Sequence, residues 1–251
     1  MTTTGLGALI VIPARYSSTR FPGKALVDLA GKPMIVRTWE RVVGDVDPDR
    51  AIVATDDDRI VAACREHGIE RVEKTSTACI TGTDRVAEVA ERYPDVRAWV
   101  NVQGDEPLLP SGVIDAVLCG LHSAVDATCA MTRATTDEEK HSLTIPRIVT
   151  DLAGRALYMT RRSVPYSRYV DEDERIFRQV CVYAFWRKAL LKFGAAERGP
   201  LERRESVELL RIMEHGGRLG MIEVPEGGIS IDVPEDVPKV LAAGCQRGIW
   251  K

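Results

Sequence analysis

The chain contains no apolar run approaching the roughly 18 residues that a membrane-spanning helix requires. Its first seven residues lack the charged n-region and long apolar h-region of a secretory signal. It also lacks paired metal-ligand spacings: the six cysteines form no CxxC and none is grouped with the four histidines. That excludes a zinc framework and leaves the cysteines as reduced, mostly buried thiols of a cytoplasmic protein. There is no surplus of positive charge. A formal net charge of −3, with Lys and Arg scattered rather than striped, argues against a nucleic-acid partner. Repeats, linkers and low-complexity tracts are missing as well. What remains is ordinary globular material: 251 residues, 45% hydrophobic and 28% charged. That suffices for one large domain, or one domain with a small insertion.

Strand-like and helix-like patterns alternate along the first half. Apolar runs at 8–12, 51–55, 98–102 and 127–132 read as buried strands. Between them, helices are expected at 33–43, with Ile35, Trp39 and Val42 on one face and Pro33 in the first turn. Others are expected from the Asp56-Asp57-Asp58 cap to His67-Gly68, at 84–93 and at 113–123. This alternation predicts an α/β fold with a doubly wound, mostly parallel sheet. From residue 145 the texture changes. A hairpin is expected at 147–150 and 156–160, strands at 179–186 and 219–224, and one long helix over 202–214. Residues 140–185 are expected to form a small inserted α+β sub-domain that serves as a dimer interface, making the protein a homodimer.

The most informative segment is 11–24, which runs from the first strand into Pro13-Ala14-Arg15-Tyr16 and on to Arg20 and Lys24. A loop at the carboxyl end of a first strand is where open α/β sheets place ligands. Three cations and exposed backbone N–H groups there suit a polyphosphate; a solvated basic loop is the alternative. Asp105, in a Gly-Asp-Glu-Pro turn after the 98–102 strand, and Asp232, after another short apolar stretch, are two hard oxygen donors at distant strand ends. A Mg²⁺ ion held jointly by protein and triphosphate requires such a pair. Each Asp is also explicable as a turn former or helix cap.

These residues resemble a known family. Ile12-Pro13-Ala14-Arg15-Tyr16 through Lys24, Gly31-Lys32-Pro33-Met34, Val53-Ala54-Thr55-Asp56, Gly82-Thr83-Asp84-Arg85, Val100-Asn101-Val102-Gln103-Gly104-Asp105-Glu106-Pro107 and Asp232-Val233-Pro234-Glu235-Asp236 are similar to the cytidylyltransferases that make CMP-3-deoxy-manno-octulosonate, the CMP-Kdo synthetases. The resemblance runs nearly end to end and implies a nucleotidyltransferase, GT-A-like variant of the Rossmann architecture. It implies that Arg15, Arg20 and Lys24 hold the CTP phosphates. Backbone at Pro13 and Ala14, with Gly82, Thr83 and Arg85, would read cytosine and ribose. Asp105 and Asp232 would hold Mg²⁺. Gln103, Arg161, Tyr183 and Glu208 match acceptor-side positions.

The acceptor half departs from that family. Relatives carry a histidine where this chain has Gln179 and a glutamine where it has Leu209. An Asn-Pro-Asn-like stretch is replaced by Ile145-Pro146-Arg147. A leucine among sugar hydroxyls would leave each without a partner, at about 1–3 kcal/mol apiece. Arg147 and Arg162 would instead favour a smaller, more anionic acceptor. The expectation is Mg²⁺-dependent CMP transfer from CTP with pyrophosphate release. The acceptor is a 3-deoxy-2-ulosonic acid or a small phosphonate such as phosphonoformate, with a lean to the small acid. The runner-up is a GT-A-like glycosyltransferase using Asp56-Asp57-Asp58 as a metal-binding DxD; a third possibility is a non-catalytic CTP-binding module.

Overall fold

A computed structural model describes residues 6–168 and 175–250; the expectations touching residues 1–5 and the 169–174 part of the 140–185 segment lie outside the described residues. The backbone follows the strand–helix alternation closely. β1 (Leu9–Ala14), β2 (Ala51–Thr55), β3 (Val72–Lys74) and β4 (Ala98–Val102) alternate with α1 (Met34–Val43), α2 (Asp58–Glu66) and α3 (Gly82–Glu91). α4 (Val113–Gly120), β5 (Ala127–Arg133) and the short α5 (Asp137–His141) follow. The second half holds β6 (Arg147–Thr150), β7 (Ala156–Thr160), β8 (Phe177–Trp186), α6 (Arg187–Ala195), α7 (Pro200–Glu205), α8 (Leu210–Glu214), β9 (Leu219–Glu223) and α9 (Asp236–Gln246). Among the described residues no helix is long and apolar enough to cross a membrane.

The sheet runs in the order β3-β2-β1-β4-β8-β5-β9. Its strands pair in parallel except β8, which lies antiparallel between β4 and β5. β1 alternates between two apolar layers because strand side chains point to opposite faces with period two. Ile10 and Ile12 pack with α1, α2 and α4. Leu9 and Val11 join Trp99 and Phe185 against α3, α6 and α8. Burial on both faces explains why β1, β2 and β4 read as continuous apolar runs. Each large side chain removed from water there contributes about 1.5–3 kcal/mol. A smaller cluster of Leu29, Met34, Leu108, Ile231, Val240 and Trp250 packs α9 beneath the ligand edge.

Helix starts follow their capping chemistry. Asp57 caps α2 by accepting from Arg59 N, and Thr81 and Asp84 form a reciprocal capping box at α3. The expected 202–214 helix is corrected to two helices, α7 and α8. Ser206 sits in the left-handed region at φ 52° and breaks the rod. Residues 207–209 thereby leave the helix axis and carry Glu208 toward α3. β3, α5 and α6 went unread because three and five residues hold too little periodicity and α6 follows β8 without a turn signal. Within 140–185, β6 and β7 form a hairpin that pairs with the start of β8, while β8 itself is a central strand of the sheet.

Candidate active site

The ligand edge is the carboxyl end of β1, β2 and β4, where β8 contributes its amino-terminal end because it runs the other way. β1 ends at Ala14 and the chain turns through the 15–24 loop. Tyr16 anchors this loop: its carbonyl accepts from Ser18 N and Gly23 N, and the Arg59 guanidinium lies 3.2 Å over its ring. The loop's cations then diverge. Arg15 is exposed, and Arg20, half-exposed, donates to Asp232 Oδ1 at 2.9 Å. Lys24 turns inward. Its Nζ lies 2.5 Å from Asp105 Oδ2, 3.0 Å from the Ile231 carbonyl and 3.9 Å from Asp232 Oδ1.

Asp105 reaches this point because the turn after β4 presses against β1. A Cβ at Gly104 would stand 2.6 Å from the Pro13 carbonyl, so only glycine permits the approach. Thr38 Oγ1 donates to the Gly104 carbonyl and fixes the turn from α1. Asp232 is fixed from its own side: Asp236, at the start of α9, accepts from the amides of Asp232 and Val233. Two carboxylates from segments far apart in sequence thus converge on one ammonium. Burial raises the Asp232 carboxyl above its usual range, helped by Asp105 and opposed by Lys24 and Arg20. Burial works against the Lys24 charge, yet the Asp105 carboxylate beside it carries the balance upward.

A groove opens on both sides of this cluster. One lobe, about 490 Å³, is lined by Pro13, Ala14, Arg15, Lys24, Gly82 and Arg85. The other, about 660 Å³, runs past Gln103, Gln179, Tyr183 and Glu208 toward α5 and α9. Arg20, Gln103, Asp105, Arg161 and Asp232 border both. Glu208 accepts from Thr83 N at 3.0 Å and from Gln103 Nε2 at 2.7 Å. Burial raises its carboxyl against hydrogen bonds from Thr83 and Thr81. Gln179 Nε2 donates to Tyr183 Oη at 2.8 Å.

Several expected site residues do other work. Leu209 is fully buried in the core layer with Leu210 and does not border the groove. No sugar hydroxyl would meet it. Arg147, also fully buried, donates to the carbonyls of Glu139, Ser142, Ile145 and Arg161. With no carboxylate partner among the described residues, it satisfies loop backbone and does not border the groove. Arg162 is exposed and does not border the groove. Arg161 does, but its guanidinium donates to the carbonyls of Leu143, Thr144, Glu205 and Ser206. Thr83 is likewise buried, with its hydroxyl accepting from Asn101 Nδ2 at 2.9 Å. Arg85, 2% exposed, is tied to Thr75 and Asp56.

The Asp56-Asp57-Asp58 triplet is spent in the same way. Arg85 holds Asp56, the α2 cap uses Asp57, and Lys74 pairs with Asp58. Capping and ion pairing thus account for the triplet without a metal-binding role. Arg178 was not foreseen: it lines the larger lobe and pairs with Glu139 at 2.7 Å. It stands among apolar strand residues with no motif around it, so nothing in the sequence signalled it.

A parallel-sheet edge carrying a basic first loop and a carboxylate pair is the ligand site of an α/β enzyme that handles phosphorylated substrates. Comparison with known proteins makes this specific: residues 9–222 match the family model described as cytidylyltransferase, and the chain belongs to that family. The protein named 3-deoxy-manno-octulosonate cytidylyltransferase in Geobacter sulfurreducens is 41% identical over 243 residues, covering 92% of this chain and 96% of that one. The protein of the same name in Myxococcus xanthus is 40% identical, covering 95% and 96%. A solved structure of CMP:2-keto-3-deoxy-manno-octonic acid synthetase complexed with CTP superposes with a TM-score of 0.86 at 33% identity, covering 96% of this chain and 99% of that one. The fold extends to 4-diphosphocytidyl-2C-methyl-D-erythritol synthase from Anaerococcus prevotii, with a TM-score of 0.62 at 14% identity.

Proposed function

We propose that this cytidylyltransferase moves CMP from CTP to a 3-deoxy-2-ulosonic acid, releasing pyrophosphate. The observation that carries the proposal is the two-lobed groove whose lobes meet at Asp105, Asp232 and Arg20. The smaller lobe takes CTP and the larger the acceptor, so the α-phosphorus comes to rest between them. An acceptor oxygen bonds to that phosphorus as the bond to the β-phosphate oxygen breaks in line. The chain's part is positioning and charge neutralisation. Arg15, Arg20 and Lys24 bind phosphate oxygens; Gln103, held by Glu208, and the Gln179–Tyr183 pair line the acceptor's path.

The Asp105–Asp232 pair fits Mg²⁺: two hard oxygens aimed at one point, already marked by a cation in Lys24. No group of three or more ligating side chains occurs among the described residues, so CTP and water would complete the shell. Bound there, the ion would supply Lewis-acid neutralisation of the triphosphate.

The relatives' names point to the ulosonic acid, and the grounds for a small phosphonate weaken with Arg147, Arg162 and Leu209 outside the groove. The differences that border it are Gln179 in place of histidine, and Ile145 and Pro146 from the altered Asn-Pro-Asn-like stretch. Purified protein supplied with CTP, Mg²⁺ and equal Kdo and phosphonoformate should yield CMP-Kdo by phosphorus NMR. Exclusive phosphonoformate product would overturn the acceptor, and no pyrophosphate with either would overturn the reading of the larger lobe. We further propose a homodimer through the β6–β7 region, where Leu152, Leu157 and Tyr166 are exposed. Leu157→Glu should then shift the sedimentation coefficient to that of a single chain.

A further inference from the structure

Glu106, next to Asp105, is 2% exposed, yet no catalytic task falls to it. One carboxylate oxygen accepts from Ser230 Oγ. The other, Oε2, is buried without a hydrogen-bond partner and lies where a Cβ on Gly228 would stand, at 2.3 Å. A buried carboxylate with one oxygen unpaired is costly, and an apolar side chain of similar size would fill the space at less expense. Cys181 and Arg178 of β8 also act on this carboxyl, and its remaining contacts gather at one junction. Ser230 lies two residues before Asp232, and Glu106 lies one after Asp105. Ile231 N donates to the Asp105 carbonyl at 3.1 Å, and Leu108 and Ile231 pack together in the cluster under α9. The segments 105–108 and 228–232 are therefore joined by a side-chain hydrogen bond, a backbone hydrogen bond and an apolar contact.

We propose that Glu106 and Ser230 form a clasp that sets the separation of Asp105 and Asp232, making both positioning residues for the divalent cation. The inference rests on the assignment of that carboxylate pair to Mg²⁺. The backbone bond from Ile231 fixes one point between the segments but leaves rotation about it. The clasp is a second point, made between side chains, and two points fix both distance and orientation. The bare approach at Gly228 allows Glu106 to reach Ser230 at all.

Mn²⁺ is the probe, followed by electron paramagnetic resonance with CTP present and a protein-free CTP blank subtracted. Ser230→Ala should weaken enzyme-bound Mn²⁺ about 10-fold, as loss of a partner orienting a metal ligand does. CTP affinity measured without divalent cation should stay within about twofold, since the phosphate loop is untouched. Glu106→Gln, which keeps an oxygen for the Ser230 hydroxyl, should bind Mn²⁺ far more tightly than Glu106→Leu. Unchanged Mn²⁺ binding in Ser230→Ala, where Asp105→Asn and Asp232→Asn each abolish it, would overturn the clasp alone. Equal weakening of Mn²⁺ and metal-free CTP binding would also overturn it, showing general loss of the loop. Unaltered Mn²⁺ binding in the two Asn variants would bring down the cation assignment and the clasp with it.

Discussion

Replacing either carboxylate by Asn should stop turnover, but the two variants should differ sharply in stability. Lys24 is only 16% exposed and rests 2.5 Å from Asp105 against 3.9 Å from Asp232. Asp105→Asn therefore strips a mostly buried ammonium of its near partner. Breaking such a pair costs about 3 kcal/mol or more, which for a chain of this size lowers Tm by roughly 6–12 °C. Asp232→Asn leaves the Lys24–Asp105 pair intact; it removes the longer 3.9 Å contact to Lys24 and releases Arg20, whose side chain is 51% exposed. An exposed pair is worth about 1 kcal/mol or less, and the charge removed is one that burial and Asp105 already disfavour. A carboxyl raised in the folded state contributes most stability at low pH and loses it as pH rises through its raised value. Asp232→Asn should accordingly gain on the wild type as pH climbs from acid to neutral. Pyrophosphate release should fall about 10³-fold in both, equivalent to about 4 kcal/mol of transition-state stabilisation. Thermal denaturation across pH, run beside the turnover assay, checks each part. Equal destabilisation of the two variants would refute the placement of Lys24, and near-wild-type turnover in either would remove that residue from the site.

Arg20→Ala should raise the KM for CTP at least about 10-fold with Tm unchanged, and Arg20→Lys should not restore it, because a single ammonium lacks the guanidinium's fork; calorimetry with CTP reads both. Arg211, 2% exposed, holds Glu202 through two 2.7 Å contacts and Asp84 through one of 2.5 Å. Arg211→Met should cost about 3–5 kcal/mol, measured by denaturant unfolding, and adding Glu202→Leu should recover part of it. Burial alone would raise Glu205, but hydrogen bonds from Arg161 N, Thr160 and Tyr158 hold it below the usual carboxylate range. Its contribution is therefore present above about pH 4.3 and lost as pH falls through the lowered value. Glu205→Gln should flatten that acid limb of the stability curve; an unchanged limb would place the titration elsewhere.

The parallel part of the sheet and its first loop were legible because their signals are local. β1, β2 and β4 are buried on both faces, and the cations of the first loop sit within ten residues of each other. The acceptor half is assembled by contacts between distant segments, which one-dimensional spacing does not carry. Leu209 looked like a lost sugar contact until the kink at Ser206 turned it into the core. Arg147 looked like a free cation, but the carbonyls of four residues consume it. Glu208 reaches the groove by capping α3 from across the fold. No periodicity in its own neighbourhood announces that.

The reversal of β8 has a consequence for how such an enzyme diversifies. Had β8 run parallel, the connection preceding it would lie at the far edge of the sheet. Running antiparallel, it brings Gln179, Cys181 and Tyr183 to the working edge, where Ile145, Pro146 and Arg161 flanking the β6–β7 hairpin also lie. On the proposed assignment of the lobes the chain is thereby partitioned: residues 13–105 supply most of the donor wall, and residues 136–232 most of the acceptor wall. Length and sequence in the later stretch can drift under selection for a new acid while the machinery gripping CTP stays fixed. A recombinant that exchanges residues 136–182 between two family members is the natural unit for transplanting acceptor preference.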